Sequence, residues 1–501
     1  MTAVLAAQSV HRKLRLGPFA GQARNGSWHL APAADTTPTK ATFCARLLPV
    51  PANRIAASEG MSPGTQRNVA ATRLSCMKNM LRVAAGVAAA GVVAACGSAP
   101  ATSRPLSLAV SYGTAAGVPA ASPLPYGAAD TAFGLDVLGA WCRQEPHANI
   151  VLSPESLATG LGLAYLGARG ATARAMARVL HLPAAGPELE AGLHARSAAL
   201  RGLDGPGVTV SGSDRVWADP SLTTQRSYLD DVATAYGAGL WRVPLQSDPA
   251  RAAAQIDAAI AAATHGHIPQ LLGPDSLNGS GWVLTDALYL HAAWASPFQA
   301  SQTAAGPFTT AAGPRASAQF MNGGGFRSAR AGGWTAVSLP YRGGKLAMLA
   351  LLPAASSAAS PGGCPALSTA TLGRLTTALA RGAGDRTPGE TAIALPKVSL
   401  RSSVSMQKLL TRLGLGIAFG EGADFTGLSP QACCIATVIH AATLAVGERG
   451  TVASAATAAG IAPTAEPVEL NRVVFDRPYL LLVTDTATGE PLFLARVANP
   501  G

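Results

Sequence analysis

The order in which apolar patterns occur along this chain constrains its fold most. From about residue 128 to the end the sequence is patterned as a packed domain, with helical segments mainly first and strands mainly later. A helix is expected over 129–143, then a short strand at Asn149–Leu152. Ser153-Pro154-Glu155-Ser156 opens an apolar helix running to about 166, with Ser at the cap and Pro just inside the start. A further helix is expected at Ala171–Leu180. Strands are expected at Ser213–Ala218, Gly281–Leu290, Thr335–Leu339, Leu346–Leu352, Ala392–Leu400 and Val473–Asp476. Tyr479–Thr484 and Leu492–Val497 form a hairpin across a turn containing Gly489. This order points to an α+β domain with antiparallel sheets over 128–501.

The residues in front of that domain have a different character. From Met77 the chain reads MKNMLRVAAGVAAAGVVAACGSAP: two basic residues, an apolar stretch from Val83 to Ala95, small residues, then Cys96. This is the layout of a secretory signal, with a core too short to span a ~30 Å hydrocarbon layer. Val93-Ala94-Ala95-Cys96 resembles a bacterial lipobox, in which the cysteine thiol accepts the lipid and becomes the mature N-terminus; an ordinary cleaved signal is the alternative. The expected organisation is therefore 1–76 as a non-native or disordered extension, 77–95 as a lipoprotein signal, 96–127 as a flexible Pro/Ala/Ser-rich tether, and 128–501 as the domain. The expected location is the outer face of the cell membrane, lipid-anchored, or else secreted.

Charge follows the same division. The chain of 501 residues has a formal net charge of +11, which would suggest a nucleic-acid or membrane partner. Residues 1–76 carry nine Lys or Arg against Asp35 and Glu59, and residues 77–95 add Lys78 and Arg82, so nine of the eleven net charges lie in residues 1–95. The body is nearly neutral, and no nucleic-acid surface is expected there. With 48% hydrophobic and 13% charged residues the chain has ample surface to bury, and seven cysteines exclude a disulfide scaffold.

Several segments of the body carry a resemblance. Asn149–Met176 combines a strand, Ser-Pro-x-Ser, a helix and Gly-Ala-x-Gly-x-Thr. Thr264-His-Gly-His-Ile-Pro-Gln-Leu-Leu272 and Val283–Phe298, ending in Trp294 and its neighbours, follow. Phe298, Thr303 and Phe308 keep a regular spacing. Leu395-Pro396-Lys397, Ala423-Asp-Phe-Thr-Gly427, Val438-Ile-His440, Glu448-Arg-Gly-Thr451 and Phe475-Asp-Arg-Pro-Tyr479 come next in order. In sequence and order these resemble the serpin family of protease inhibitors. The resemblance implies helices around a large central antiparallel sheet plus smaller sheets, with an exposed reactive-centre loop. It implies no enzyme activity, no cofactor and no metal, a monomer, and a target endopeptidase as covalent partner. The target's nucleophile, of a serine or alternatively a cysteine protease, is trapped as an acyl-enzyme when the cut loop inserts into the sheet. A non-inhibitory carrier, chaperone or protease substrate is the rival within the family.

The same resemblance assigns residues. The loop hinge comprises Glu448, Gly450, Thr451, Val452, Ala453, Ser454, Ala455, Ala456 and Thr457. As a strand, Thr451, Ala453, Ala455 and Thr457 would point to the buried side, and none of the stretch is charged, bulky or proline. One buried charge would oppose insertion by several kcal/mol, so the composition is compatible with rapid insertion. Arg449 and Val452 depart from the acids that many inhibitory members carry. Counting seventeen residues from Glu448 places the cut bond at Thr464–Ala465, with Ala462 and Ala465 as alternative cleavage positions. The small apolar run Ile461-Ala462-Pro463 favours elastase-like or subtilisin-like targets. Ser153, Ser156, Asp286 and His440 match a shutter beneath the sheet, and Trp294, Lys397 and Glu448 match its top. The family usually has Asn at the position of Asp286.

Three other features invite a chemical reading. Ser405-Met-Gln-Lys408 has the Ser-x-x-Lys spacing of penicillin-recognising enzymes, but no Lys-Thr-Gly follows it. His265-Gly-His267 lacks accompanying carboxylates or cysteines and reads as a surface turn. Cys142, Cys364, Cys433 and Cys434 have no pairing legible from spacing, and the vicinal pair reads equally as buried thiols.

Overall fold

The computed structural model describes residues 108–183, 186–273, 276–277, 281–355, 364, 366–381, 391–451 and 471–501. The chain divides into two units, Met1–Ser98 and Ala99–Gly501, and all described residues belong to the second. Its elements in chain order begin with β1 (Ala109–Ser111), α1 (Leu124–Gln144), β2 (Ile150–Leu152), α2 (Pro154–Gly167), α3 (Gly170–Val179) and α4 (Pro187–Arg201). Then come β3 (Val208–Gly212), β4 (Arg215–Ala218), α5 (Arg226–Tyr236), β5 (Leu240–Arg242), α6 (Pro249–Ala263) and β6 (Trp282–Ala293). The middle of the chain forms β7 (Ala304–Thr309), β8 (Arg315–Ala331), β9 (Trp334–Pro340), β10 (Leu346–Pro353), α7 (Thr369–Ala380), β11 (Thr391–Pro396) and β12 (Val398–Ser405). The last elements are α8 (Gln407–Leu410), β13 (Val438–Gly447), β14 (Gly450–Thr451), β15 (Asn471–Val474), β16 (Tyr479–Asp485) and β17 (Pro491–Val497).

The helix starts are chemically specified. Ser153, Asp248 and Ser368 each accept a backbone N–H from three residues on, at the heads of α2, α6 and α7. Such caps contribute about 1 kcal/mol apiece. Every residue of α2 except Thr159 is buried, which is why its sequence shows an apolar run rather than a one-sided period. α2 lies inside the molecule, in contact with β6 and β17.

Two sheets organise the described residues. The first runs β1-β5-β4-β6-β14-β13-β12, with β3 pairing β6 beyond the end of β4. The second runs β15-β11-β8-β9-β10-β16-β17-β2, with β7 on β8. Side chains of β6 and β13 alternate between two buried environments. Val283, Ala287, Ile439 and Ala441 pack outward under α6 with Ile256 and Ile260. Leu288, Leu290, Ala442, Leu444 and Val446 pack inward against residues of the second sheet. A strand buried on both faces reads as a continuous apolar run.

The structure departs from the expectations in three places. Most neighbouring strands are antiparallel, but β4–β5, β6–β13 and β11–β15 are parallel, so the sheets are mixed. The expected strand Ala392–Leu400 is two strands in different sheets, divided at Lys397, whose N–H donates to Gln319 O at 2.8 Å. The expected flexible tether 96–127 is, from Ala109, laid along the sheet edge: β1 pairs β5, and Thr114 N and Ala116 N donate to Asp230 Oδ1 and Thr234 Oγ1 of α5. Backbone pairing compensates here for a composition that reads as linker. A disulfide joins Cys142 of α1 to Cys364 ahead of α7 across 222 residues. Closing a loop that long stabilises by roughly 5 kcal/mol in the chain-entropy account. No described helix is long and apolar enough to cross a membrane.

Candidate functional site at the slot between two strands

β6 and β13 run side by side in the first sheet and meet differently at their two ends. At one end they pair directly, Leu284–Leu288 against Val438–Ala442. At the other they are parted by β14: Gly450 and Thr451 pair with Ala293 and Ala292 on one side and with Gly447 and Val446 on the other. Residues assigned to the loop hinge are thus already seated as a two-residue strand.

The open end fits these two residues and few others. Gly450 has φ 150°, and a Cβ there would fall 2.0 Å from Ala292 O, so only glycine is accommodated. Thr451 is fully buried, with its Oγ1 2.5 Å from the Tyr341 hydroxyl. Burial pushes the Tyr341 phenol up, with the Thr451 bond opposing, so the ring presents a neutral O–H. Tyr341 stacks on Trp294 with ring centroids 4.4 Å apart, and Trp294 Nε1 donates to Gly447 O. The turn Glu448–Arg449 is fixed through its carbonyls, which accept Phe298 N at 2.8 Å and Trp294 N at 2.9 Å. Glu448 Oε1 accepts from Lys397 Nζ and from Thr303 Oγ1, both at 3.0 Å. Burial opposes its ionisation, but hydrogen bonds from the backbone, Lys397 and Thr303 hold Glu448 below its ordinary range.

Beneath the closed end lies a polar network. Ser153 N–H donates to His440 Nε2 at 3.1 Å, so that nitrogen presents its lone pair and the ring proton lies on Nδ1, toward Asp286 Oδ1. Ser156 Oγ lies 3.1 Å from Asp286 Oδ1 and 2.5 Å from Asp214 Oδ1. One hydroxyl proton satisfies only one carboxylate, so the arrangement is complete when Asp214 carries a proton of its own. Burial, then Glu155 and Asp286, push the Asp214 carboxyl well up, in agreement. His440 and Asp286 are direct register partners on β13 and β6, so this pair ties together the strands that β14 divides.

Deeper still, Arg196 of α4 is buried among three carboxylates: Asp130 Oδ2 at 2.5 Å, Glu490 Oε1 at 3.1 Å and Glu155 Oε1 at 3.5 Å. One guanidinium cannot balance three buried anions. Burial, followed by Glu490, raises Glu155 to about 7, and burial raises Asp130 well above its usual range.

Of the expected site residues, Ser153, Ser156, Asp286 and His440 converge on the closed end. Trp294, Lys397, Glu448, Gly450 and Thr451 converge on the open end. Val452–Thr457, the bond Thr464–Ala465 and Cys96 lie outside the described residues. Tyr341, Thr303, Asp214 and the Arg196 cluster were not anticipated. They come from elements distant in sequence, and of these residues only Thr303 and, within the Arg196 cluster, Glu155 stood in a quoted motif. Cys433 and Cys434 are bonded to each other and Cys433 is exposed, in place of buried thiols. Ser405 and Lys408 are both exposed. His267 stacks on Tyr289, and no group of ligands able to hold a metal occurs among the described residues.

The family model described as Serpin (serine protease inhibitor) matches residues 128–500. The chain belongs to the serpin family. An uncharacterised serpin-like protein of Thermococcus kodakarensis is 30% identical over 356 residues, covering 70% of this chain and 81% of its own. The leukocyte elastase inhibitor of Bos taurus is 29% identical over 381 residues, 74% of this chain and 99% of its own. Among solved serpins, the thermophilic serpin tengpin in its native state aligns with a TM-score of 0.65 at 21% identity, covering 78% of this chain and 97% of its own. Uncleaved ovalbumin aligns with a TM-score of 0.63 at 23% identity, covering 75% and 100%. Serpins inhibit proteases rather than catalyse a reaction, and the shared fold places the slot described above in this serpin's first sheet.

Proposed function

We propose that this serpin is a suicide inhibitor of serine endopeptidases that traps the acyl-enzyme by inserting its cut loop between β6 and β13. The observation that carries the reading is the register of β14. Thr451 lies opposite Ala292 and Val446, while Asp286 lies opposite His440. Both belong to one frame. A strand continued from Thr451 would bring Ala455–Ala459 between Leu284–Leu288 and Val438–Ala442, with Thr457 opposite both Asp286 and His440. The small, uncharged residues that follow Thr451 suit both buried environments.

The small apolar sequence before Thr464, together with a relative named as a leukocyte elastase inhibitor, supports elastase-like or subtilisin-like targets. Incubation with pancreatic elastase or subtilisin is expected to give a covalent complex that survives denaturing electrophoresis. The variant Thr451→Arg is expected to be cut at the same bond without forming that complex, because a buried guanidinium would stand beside Tyr341. Clean cleavage of the parent chain across a protease panel would instead assign it to the non-inhibitory members. Unchanged trapping by the arginine variant would sink insertion through this slot.

A further inference from the structure

The vicinal pair Cys433–Cys434 takes no part in the mechanism above, and its position is specific. It lies on the segment between α8 and β13, two to three residues after Gln431, whose side-chain oxygen accepts Thr223 N, and one residue before Ile435, whose N–H donates to Ala418 O. Val438, three residues beyond Ile435, pairs with Leu284 at the closed end of the slot. Cys433 is exposed and Cys434 half-buried. Cys434 lines a small apolar cavity of about 20 Å³ with Ala164, Val216, Trp282, Leu284 and Ile435. Trp282 also has a buried indole N–H with no acceptor among the described residues. The pair thus couples a solvent-accessible sulfur to the packing beneath the last paired residues of β6 and β13.

A disulfide between adjacent residues closes almost no loop. It therefore does little to restrict the unfolded chain, unlike Cys142–Cys364, which spans 222 residues. What it fixes is the local path of the backbone, and an exposed disulfide is the kind open to exchange.

We propose that Cys433–Cys434 is a thiol-exchange site: an external dithiol reduces it, and the reduced pair releases the segment leading into β13, so that β13 parts from β6 more readily. A thiolate of the dithiol attacks the exposed Cys433 Sγ, the bond between the two sulfurs breaks, and Cys434 leaves as a thiolate that takes up a proton. The second thiol of the reagent then attacks the mixed disulfide and releases Cys433. Two electrons and two protons pass to the protein, and the reagent departs as its own disulfide. The exchange stands on exposure and packing alone. Its effect on strand separation rests on the proposed insertion through the slot.

The test uses the full chain titrated with dithiothreitol, alkylated with iodoacetamide and mapped by peptide mass. Cys433 and Cys434 are expected to open at about tenfold less reductant than Cys142–Cys364, whose Cys142 is buried. Tryptophan emission is expected to rise at the same step and to stay unchanged in Trp282→Phe, since a disulfide quenches an adjacent indole. Hydrogen exchange of the amides in 438–442 is expected to quicken about tenfold on reduction. The variant Cys433→Ser/Cys434→Ser should exchange fast there without reductant. Alkylation of both cysteines before any reductant is added, or opening only together with Cys142–Cys364, would overturn the site. Unchanged exchange at 438–442 in protein whose vicinal pair is reduced would overturn the coupling. None of these readouts involves a protease, so failure of trapping leaves them intact.

Discussion

The two ends of the β6–β13 slot are built from the same two strands and held by different physics. At the open end the strands are separated by Gly450–Thr451, and what holds that end is shape: a glycine that fits against Ala292 O and a threonine hydroxyl on the buried Tyr341. At the closed end the strands pair directly, and beneath them is a polar network whose members sit on four different segments: Ser153 and Ser156, Asp214, Asp286 of β6, and His440 of β13. Shape complementarity is lost gradually as strands slide, whereas a buried polar pair is either made or broken. The slot therefore has one end prepared for a strand and one that resists it.

The largest effect is expected from breaking the closed end. His440→Ala removes the ring that faces Asp286 and the acceptor of Ser153 N–H, leaving a buried carboxylate with only the Ser156 hydroxyl and a buried donor without its acceptor. Loss of one member of a buried pair costs about 3–5 kcal/mol. Equilibrium denaturation of the native chain should show a loss of that order. Adding Asp286→Asn should recover part of it, because an amide carries no charge to leave unpaired. A His440→Ala variant within about 0.5 kcal/mol of the parent would mean that strand packing alone closes this end.

Which parts of this were legible in the sequence follows from where the controlling contacts lie. The Ser cap and Pro start of α2 and the turn glycine of β16–β17 are local signals, and the structure has α1–α3 and that hairpin within a few residues of expectation. The helices α4–α7 were missed. Side-chain caps at Asp248 and Ser368 do open α6 and α7, but the buried faces of these four helices are set by tertiary packing, as Ile256 and Ile260 of α6 show. The division at Lys397 could not be read because the two strands follow each other with only Lys397 between them, and only their separate sheets distinguish them. His440, Asp286, Ser153 and Ser156 were placed together through family motifs. Asp214 and the Arg196 cluster bear no local signature, since a buried ion group is assembled from α1, α2, α4 and the β16–β17 turn.

The pH response sharpens the comparison next, because the stored protons lie beneath the closed end and none is needed at the open one. Asp130, Glu155 and Asp214 are all pushed up by burial, Glu155 to about 7. A carboxyl whose folded value exceeds its unfolded value binds more protons when folded, so stability falls as pH rises through that window. The window opens near the ordinary carboxylate range, about 4.5, and for Glu155 it closes at about 7. Glu448, Asp219 and Asp424 are held low instead, so their contribution is lost only below the ordinary range. The thermal midpoint is therefore expected to be higher at pH 5 than at pH 7.5, with Glu155→Gln flattening the difference. Equal midpoints for the parent at the two pH values would show that the cluster holds no extra protons.

The smallest effect is expected at the open end. Tyr341→Phe keeps the ring stacked on Trp294 and removes only the hydroxyl that meets Thr451. The Thr451 hydroxyl is then buried without that partner, at a cost of about 1–2 kcal/mol. That cost falls on the seated hinge and not on the paired strands. Hydrogen exchange should accordingly quicken at Gly450 and Thr451 while the amides of 438–442 keep the rates of the parent. Slowed exchange at the hinge, or quickening that spreads to the closed end, would show that the two ends act as one unit. A response confined to the hinge would mean that the first strand residues can come and go while the pairing around His440 and Asp286 stays shut. Shape would then set how often a strand starts to enter, and the buried polar pair how far it goes.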